Sequence, residues 1–155
     1  MADAQEIKRA QDTYATLCEF LTTDQWPFQK KDDELLIETS ARGNDLPMPI
    51  LVKVRTDRQL VLLLSTLPFD VPADKRLEIA AAASIVNYRL VNGTFEFNIS
   101  TGKLYFRMAN SFIDTTLDPE IFKYMLYCSC RTVDDYNDKF EALIKGEIGL
   151  DAFME

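Results

Sequence analysis

The chain contains no histidine at all. That absence removes the Ser-His-Asp and Cys-His arrangements of nucleophilic catalysis and every histidine-based metal site. Glycine is scarce, at five residues, and Gly93 and Gly102 stand alone, so no glycine-rich loop of phosphate-cradling form exists. Three cysteines are too few, and odd in number, for a disulfide framework, and they fit a reducing compartment. No apolar run approaches membrane-spanning length, and the N-terminal Met-Ala-Asp-Ala-Gln-Glu has no basic segment leading into an apolar one, so a cytoplasmic protein is expected. Linkers, low-complexity tracts and internal repeats are also missing. The 155 residues therefore read as one domain, 1–155, with a core over about 5–145 and a short tail at 147–155. Positive charge is the last shortage: 17 Lys and Arg against 25 Asp and Glu give a net charge of −8. This disfavours nucleic acid or an anionic membrane surface as the general partner.

What is present centres on Leu60 to Met108. Leu60-Val61-Leu62-Leu63-Leu64 is apolar on both alternating faces, so it reads as an inner strand, covered on both sides or on one side by a partner chain. Pro68 and Pro72 hold the next connection extended and let a helix begin only near Ala73 or Asp74. The alanine-rich run Ile79 to Ala83 carries that helix from Leu77 to Leu90, and Gly93, expected at positive φ, reads as the residue just past its cap. Phe95, Phe97 and Ile99, then Leu104, Phe106 and Met108, alternate with polar residues about Ser100-Thr101-Gly102. This is a hairpin with one buried face.

Asp3 and Glu6 form a capping-box pattern before Ile7, Ala10, Tyr14, Leu17, Cys18 and Leu21, which predicts a helix over Ala4 to Leu21. Asp24 to Phe28 breaks it, and short strands are expected over Trp26 to Lys30 and Glu34 to Thr39. A polar loop over Arg42 to Pro47 precedes the alternating strand of Ile50, Val52 and Val54. Asp118-Pro119 starts a final helix that runs to about Lys145, with Phe122, Met125, Leu126, Ser129, Val133, Tyr136, Phe140, Leu143 and Ile144 as its apolar stripe. Its first half is apolar nearly all round. Tyr124, Tyr127, Cys128 and Cys130 therefore need a second cover, by the tail or by another chain, and mark a partner or dimer surface. The fold class is α+β, an antiparallel twisted sheet with three main helices, in the order helix, four strands, helix, two strands, helix.

Candidate chemistry is sparse. Cys128 and Cys130 are two apart on a helix and cannot grip one metal together, so they read as inert small hydrophobes. Asp134, Asp135, Asp138 and Glu141 have the donors for Mg²⁺ or acid–base work, but their spacing and the nearby Lys139 and Lys145 describe a solvated helix face. Asn87 is either a ligand-binding amide or one that satisfies backbone groups of a neighbouring strand or loop, the second being the commoner use. Lys53, Arg55, Lys103 and Arg107 would form an anion-binding patch if their strands are neighbours, and cross-strand pairing with Glu96 and nearby acids is the alternative. No cofactor is expected.

Leu67-Pro68, Val71-Pro72, Arg76, Glu78, Ile85, Asn87, Leu90, Gly93, Phe95, Gly102 and Leu104, with Trp26 upstream, resemble in order and spacing the YbjN family, whose members are labelled bacterial sensory transduction regulators. The resemblance implies a fold similar to type III secretion chaperones, small acidic proteins that are commonly dimeric, and it supplies no catalytic residues. The expected function is a non-enzymatic protein-interaction module, a chaperone-like or regulatory adaptor that binds another polypeptide and forms a homodimer. The alternative is a small-molecule or anion sensor, or an enzyme that uses carboxylates and lysines. A dimer that works by binding should leave a shallow apolar groove or patch, bordered by acids and large enough for a helix or extended segment of a client.

Overall fold

Asp3 accepts the Glu6 backbone N–H while the Glu6 carboxylate accepts the Asp3 N–H, both at 2.8 Å, and this reciprocal cap starts helix α1, Ala4–Thr23. The computed structural model describes residues 2–44 and 47–155. After α1 come strands β1 (Phe28–Lys31), β2 (Leu36–Arg42), β3 (Pro47–Arg55) and β4 (Leu60–Asp70), helix α2 (Arg76–Arg89), hairpin strands β5 (Thr94–Asn98) and β6 (Lys103–Ser111), and helix α3 (Pro119–Lys145). The six strands form one antiparallel sheet in the order β1-β2-β3-β4-β6-β5. The element order is the one that periodicity predicts. Of the polar loop expected over Arg42 to Pro47, Asp45 and Leu46 lie outside the described residues.

β4 is an inner strand, as its leucines require. Val61, Leu63, Ser65 and Leu67 are buried under the helices, whereas Leu60, Leu62 and Leu64 are only half-buried on the opposite face. Among the described residues, only one of its two apolar faces is fully covered. Ser65 and Ser129 lie at the centre of the covered side, fully buried, with their hydroxyl oxygens 2.6 Å apart. Two small, mutually satisfied side chains let α3 cross β4 closely without leaving a polar group unpaired.

Three boundaries differ from expectation for local reasons. β4 continues through Pro68 to Asp70, because an irregularity in the β6 pairing between Thr66 and Asp70 leaves a position where the missing N–H of proline costs no ladder bond. α2 stops at Arg89, with Leu90 already extended, so Gly93 serves the start of β5 rather than the helix cap. Its φ is +77° as expected, and a Cβ there would lie 2.3 Å from Phe106 Cζ. The tail does not cover the first half of α3. Its 3₁₀ turn, Leu150–Phe153, packs on α2 and sets Phe153 against Phe140 at 5.3 Å, near the other end of α3.

Candidate functional site

The end of α1 aims the first side chain of the site. Gln25 takes the left-handed conformation, φ +56°, while its N–H donates to Thr22 O at 3.1 Å and the Trp26 N–H donates to Leu21 O at 2.8 Å. This is the double closure usually made by a glycine. It directs Trp26 away from the helix axis, where its indole Nε1 donates to Ser40 O on β2 at 3.1 Å. The ring then meets Tyr127 of α3 edge-on, at 6.0 Å between centroids and 81° between planes.

Two adjoining cavities run along this contact. One, of 460 Å³, lies against Asp24, Trp26, Pro27, Ala41, Tyr127 and Cys130. The other, of 310 Å³, continues past Met48 towards Asp134, and both share Arg42, Tyr127 and Cys130. At the far end Asp134 accepts the Asn44 backbone N–H at 2.9 Å and its side-chain N–H at 2.7 Å, holding Gly43 and Asn44 against the cavity. Gly43 belongs to the same closure, since a Cβ on it would lie 2.4 Å from the Asp134 carboxylate. Asp134 is thus a loop anchor and not merely part of a solvated face.

Of the residues expected at a partner surface, Tyr124 and Tyr127 are 52% and 51% exposed, and Cys128 and Cys130 are partly buried against the core. Tyr124 Oη accepts from Asn92 Nδ2 at 3.4 Å, which joins the end of α2 to the outer ridge of α3. Cys130 lies in the groove wall, and burial pushes its thiol up to about 11. Asp24, Arg42, Arg131 and Asp134 line the groove, a border of both signs, and Lys123 stands one helical turn before Tyr127 on α3. Trp26, Arg42 and Lys123 had no periodic signal as site residues. The Trp-Pro pair just after a helix break was the only local hint.

Both polar atoms of the Asn87 amide are engaged within the chain: its Nδ2 donates to Phe95 O at 2.9 Å and its Oδ1 accepts the Phe95 N–H at 2.7 Å. An amide that takes both groups of one residue stands in for a neighbouring strand along the outer edge of β5. The four cations of the expected anion patch sit on β3 and β6, which β4 separates. Each has its own partner: Lys53 donates to Glu34 O, Arg55 lies 2.6 Å from Asp57, Lys103 lies 2.5 Å from Asp70, and Arg107 lies 2.6 Å from Glu96. A further cavity, of 440 Å³, lies between α1 and β1, where the Tyr14 hydroxyl has two acceptors within reach of its one proton, an Asp32 carboxylate oxygen at 3.1 Å and Leu36 O at 3.3 Å. Burial, then Cys18 and Asp32, hold that phenol well above its usual range. Among the described residues no group of three or more Cys, Asp or Glu is arranged to hold a metal ion, and no helix is long and apolar enough to cross a membrane.

No curated protein matches the sequence significantly. Among solved structures, YbjN from E. coli superimposes with a TM-score of 0.60 at 16% identity, over 83% of this chain and 89% of that one. ExsC, solved in the ExsC–ExsE complex, gives 0.60 at 17% identity, over 82% of this chain and 92% of that one. The α+β fold implied by the family resemblance is therefore the fold of this chain, shared with both proteins. The YbjN family, described as "Putative bacterial sensory transduction regulator", matches residues 13–142, which is most of the chain, and the chain belongs to that family.

Proposed function

We propose that this protein is a non-enzymatic binding module, a cytoplasmic chaperone-like or regulatory adaptor whose partner is another polypeptide. The observation that carries the reading is the groove between Trp26 and Tyr127, where two large aromatic side chains stand partly in water near Asn44, which Asp134 holds by two hydrogen bonds. Half-exposed aromatics on fixed elements are costly to leave in water and are the usual anchors of protein interfaces. Membership of a regulator family, and a fold shared with ExsC in its complex with ExsE, point the same way.

The protein acts as a homodimer on this reading. The half-buried Leu60, Leu62 and Leu64 row on the uncovered face of β4 supports it, because an inner strand that is apolar on both sides is satisfied here on one side only. Sedimentation of the purified chain tests the dimer, and a monomer at all concentrations would remove it. For the partner, affinity capture from the native host should return one abundant polypeptide that Tyr127→Asp loses. Tyr127 is 51% exposed, so the variant should stay folded and lose no more stability than the roughly 0.5–1.5 kcal/mol of the Trp26 ring contact. Capture that is indifferent to Tyr127→Asp would move the binding surface elsewhere.

A further inference from the structure

The chain has 17 Lys and Arg residues, and almost all are engaged. Eleven basic side chains reach carboxylates: Lys8, Arg9, Lys30, Lys31, Arg55, Arg58, Lys75, Lys103, Arg107, Arg131 and Lys145. Lys53, Arg76 and Arg89 donate to backbone carbonyls, and Lys139 lies over the Phe153 ring. Arg42 and Lys123 alone have no such partner among the described residues. Both flank the same side chain. Arg42 lines both cavities beside Tyr127, and Lys123 stands one helical turn before Tyr127 on α3.

We propose that the Trp26–Tyr127 groove takes an acidic segment of polypeptide: one bulky apolar side chain seated between Trp26 and Tyr127, with carboxylates on either side paired to Arg42 and Lys123. This rests on the reading of the protein as a polypeptide-binding module and names the chemistry of its partner. The cavity beside Trp26, at 460 Å³, falls within the roughly 300–1,000 Å³ of ordinary ligand clefts. Its continuation past Met48 gives the site length as well as width, which suits a chain more than a compact small molecule. Asp24 lines the same cavity as Arg42 and the protein as a whole is acidic, so an acidic segment is repelled except beside these two cations, which confer register and selectivity at one place.

The test uses the intact protein and a peptide library displayed on phage, followed by synthetic peptides. Trp26 is the only tryptophan, so its emission reports occupancy of the groove directly. Selected peptides should carry a Phe, Leu or Trp flanked by Asp or Glu, and should shift that emission. Replacing their acids by Asn and Gln should weaken binding about tenfold, as should Arg42→Glu or Lys123→Glu, with the effect shrinking at high salt. Arg42→Lys should keep most of the affinity, and all three variants should unfold at the wild-type midpoint. Peptides that carry a Lys on each flank should bind the Glu variants better than they bind wild type. Selected peptides without acids, or acidic ones indifferent to both charge reversals, would overturn the proposal and leave the polypeptide-binding reading standing. A library that yields no binder would overturn both.

Discussion

Asn87 closes the outer edge of β5, and replacing it separates what its two hydrogen bonds do. Asn87→Ala removes a donor to Phe95 O and an acceptor from Phe95 N–H. At about 1 kcal/mol net for each bond, the loss is about 2 kcal/mol, a fall of about 4–8 °C in melting temperature for a chain of this size. Asn87→Asp is the sharper probe. The introduced carboxylate still accepts the Phe95 N–H, but it faces the Phe95 carbonyl with no hydrogen to offer. Its protonated form has both an acceptor and a donor and matches the amide in shape. The folded-state pKa of the new group is therefore raised above its unfolded value of about 3.9. Over that window the native state binds more protons than the unfolded state, so stability declines as pH rises through it. The deficit of Asn87→Asp relative to wild type should be at least that of Asn87→Ala at pH 7 and should shrink towards pH 4. Urea unfolding of the three proteins across that range measures it. Equal deficits for Asn87→Asp at both ends of the range, or an unchanged midpoint for Asn87→Ala, would refute the idea that the amide substitutes for a strand.

Gly93→Ala combines a left-handed backbone with a Cβ that would lie 2.3 Å from Phe106 Cζ, so its cost should reach about 3 kcal/mol, beyond the roughly 1–2 kcal/mol of the conformation alone. A urea midpoint close to wild type would show that Phe106 moves aside freely. Gln25→Gly should stabilise the protein by about 0.5–1 kcal/mol in the same assay, because the residue sits at φ +56° where glycine is unstrained. The Cys130 thiol, held up to about 11, should resist iodoacetamide at pH 7 and gain reactivity only as the pH approaches that value, which mass spectrometry of the alkylated peptide reads directly.

The parts of this fold that were legible in the sequence are those written in neighbouring residues. The Asp3–Glu6 cap, the Asp118-Pro119 start of α3 and the positive φ of Gly93 each follow from local chemistry, and the alternating leucines of β4 place it inside the sheet. The site was legible by half. Tyr127 and Cys130 stood out because they exceed what one helix face can bury. Trp26 meets Tyr127 across about a hundred residues of chain, and Asn44 meets Asp134 across 90, so neither pairing leaves a period to read. Gln25 hid the end of α1 for a different reason: the left-handed closure is ordinarily announced by glycine. Lys53, Arg55, Lys103 and Arg107 were correctly placed on alternating strands, yet no alternation pattern says that β4 lies between β3 and β6.

The sheet has two unlike ends. At β5 the outward N–H and C=O of Phe95 are already taken by Asn87, with α2 packed alongside, whereas the row of strands simply stops at β1. A ribbon that lengthens more readily at one end than at the other is poorly suited to head-to-tail growth, and two copies meeting edge to edge would meet most readily β1 to β1. Even this contact is discouraged by Lys30 and Lys31, which would bring like charges together. The stretches most prone to stack into fibres, in β3 and β4, lie at the middle of the ribbon with strands on both sides. One half-buried asparagine thereby makes the β5 edge a poorer template for an added strand than the β1 edge.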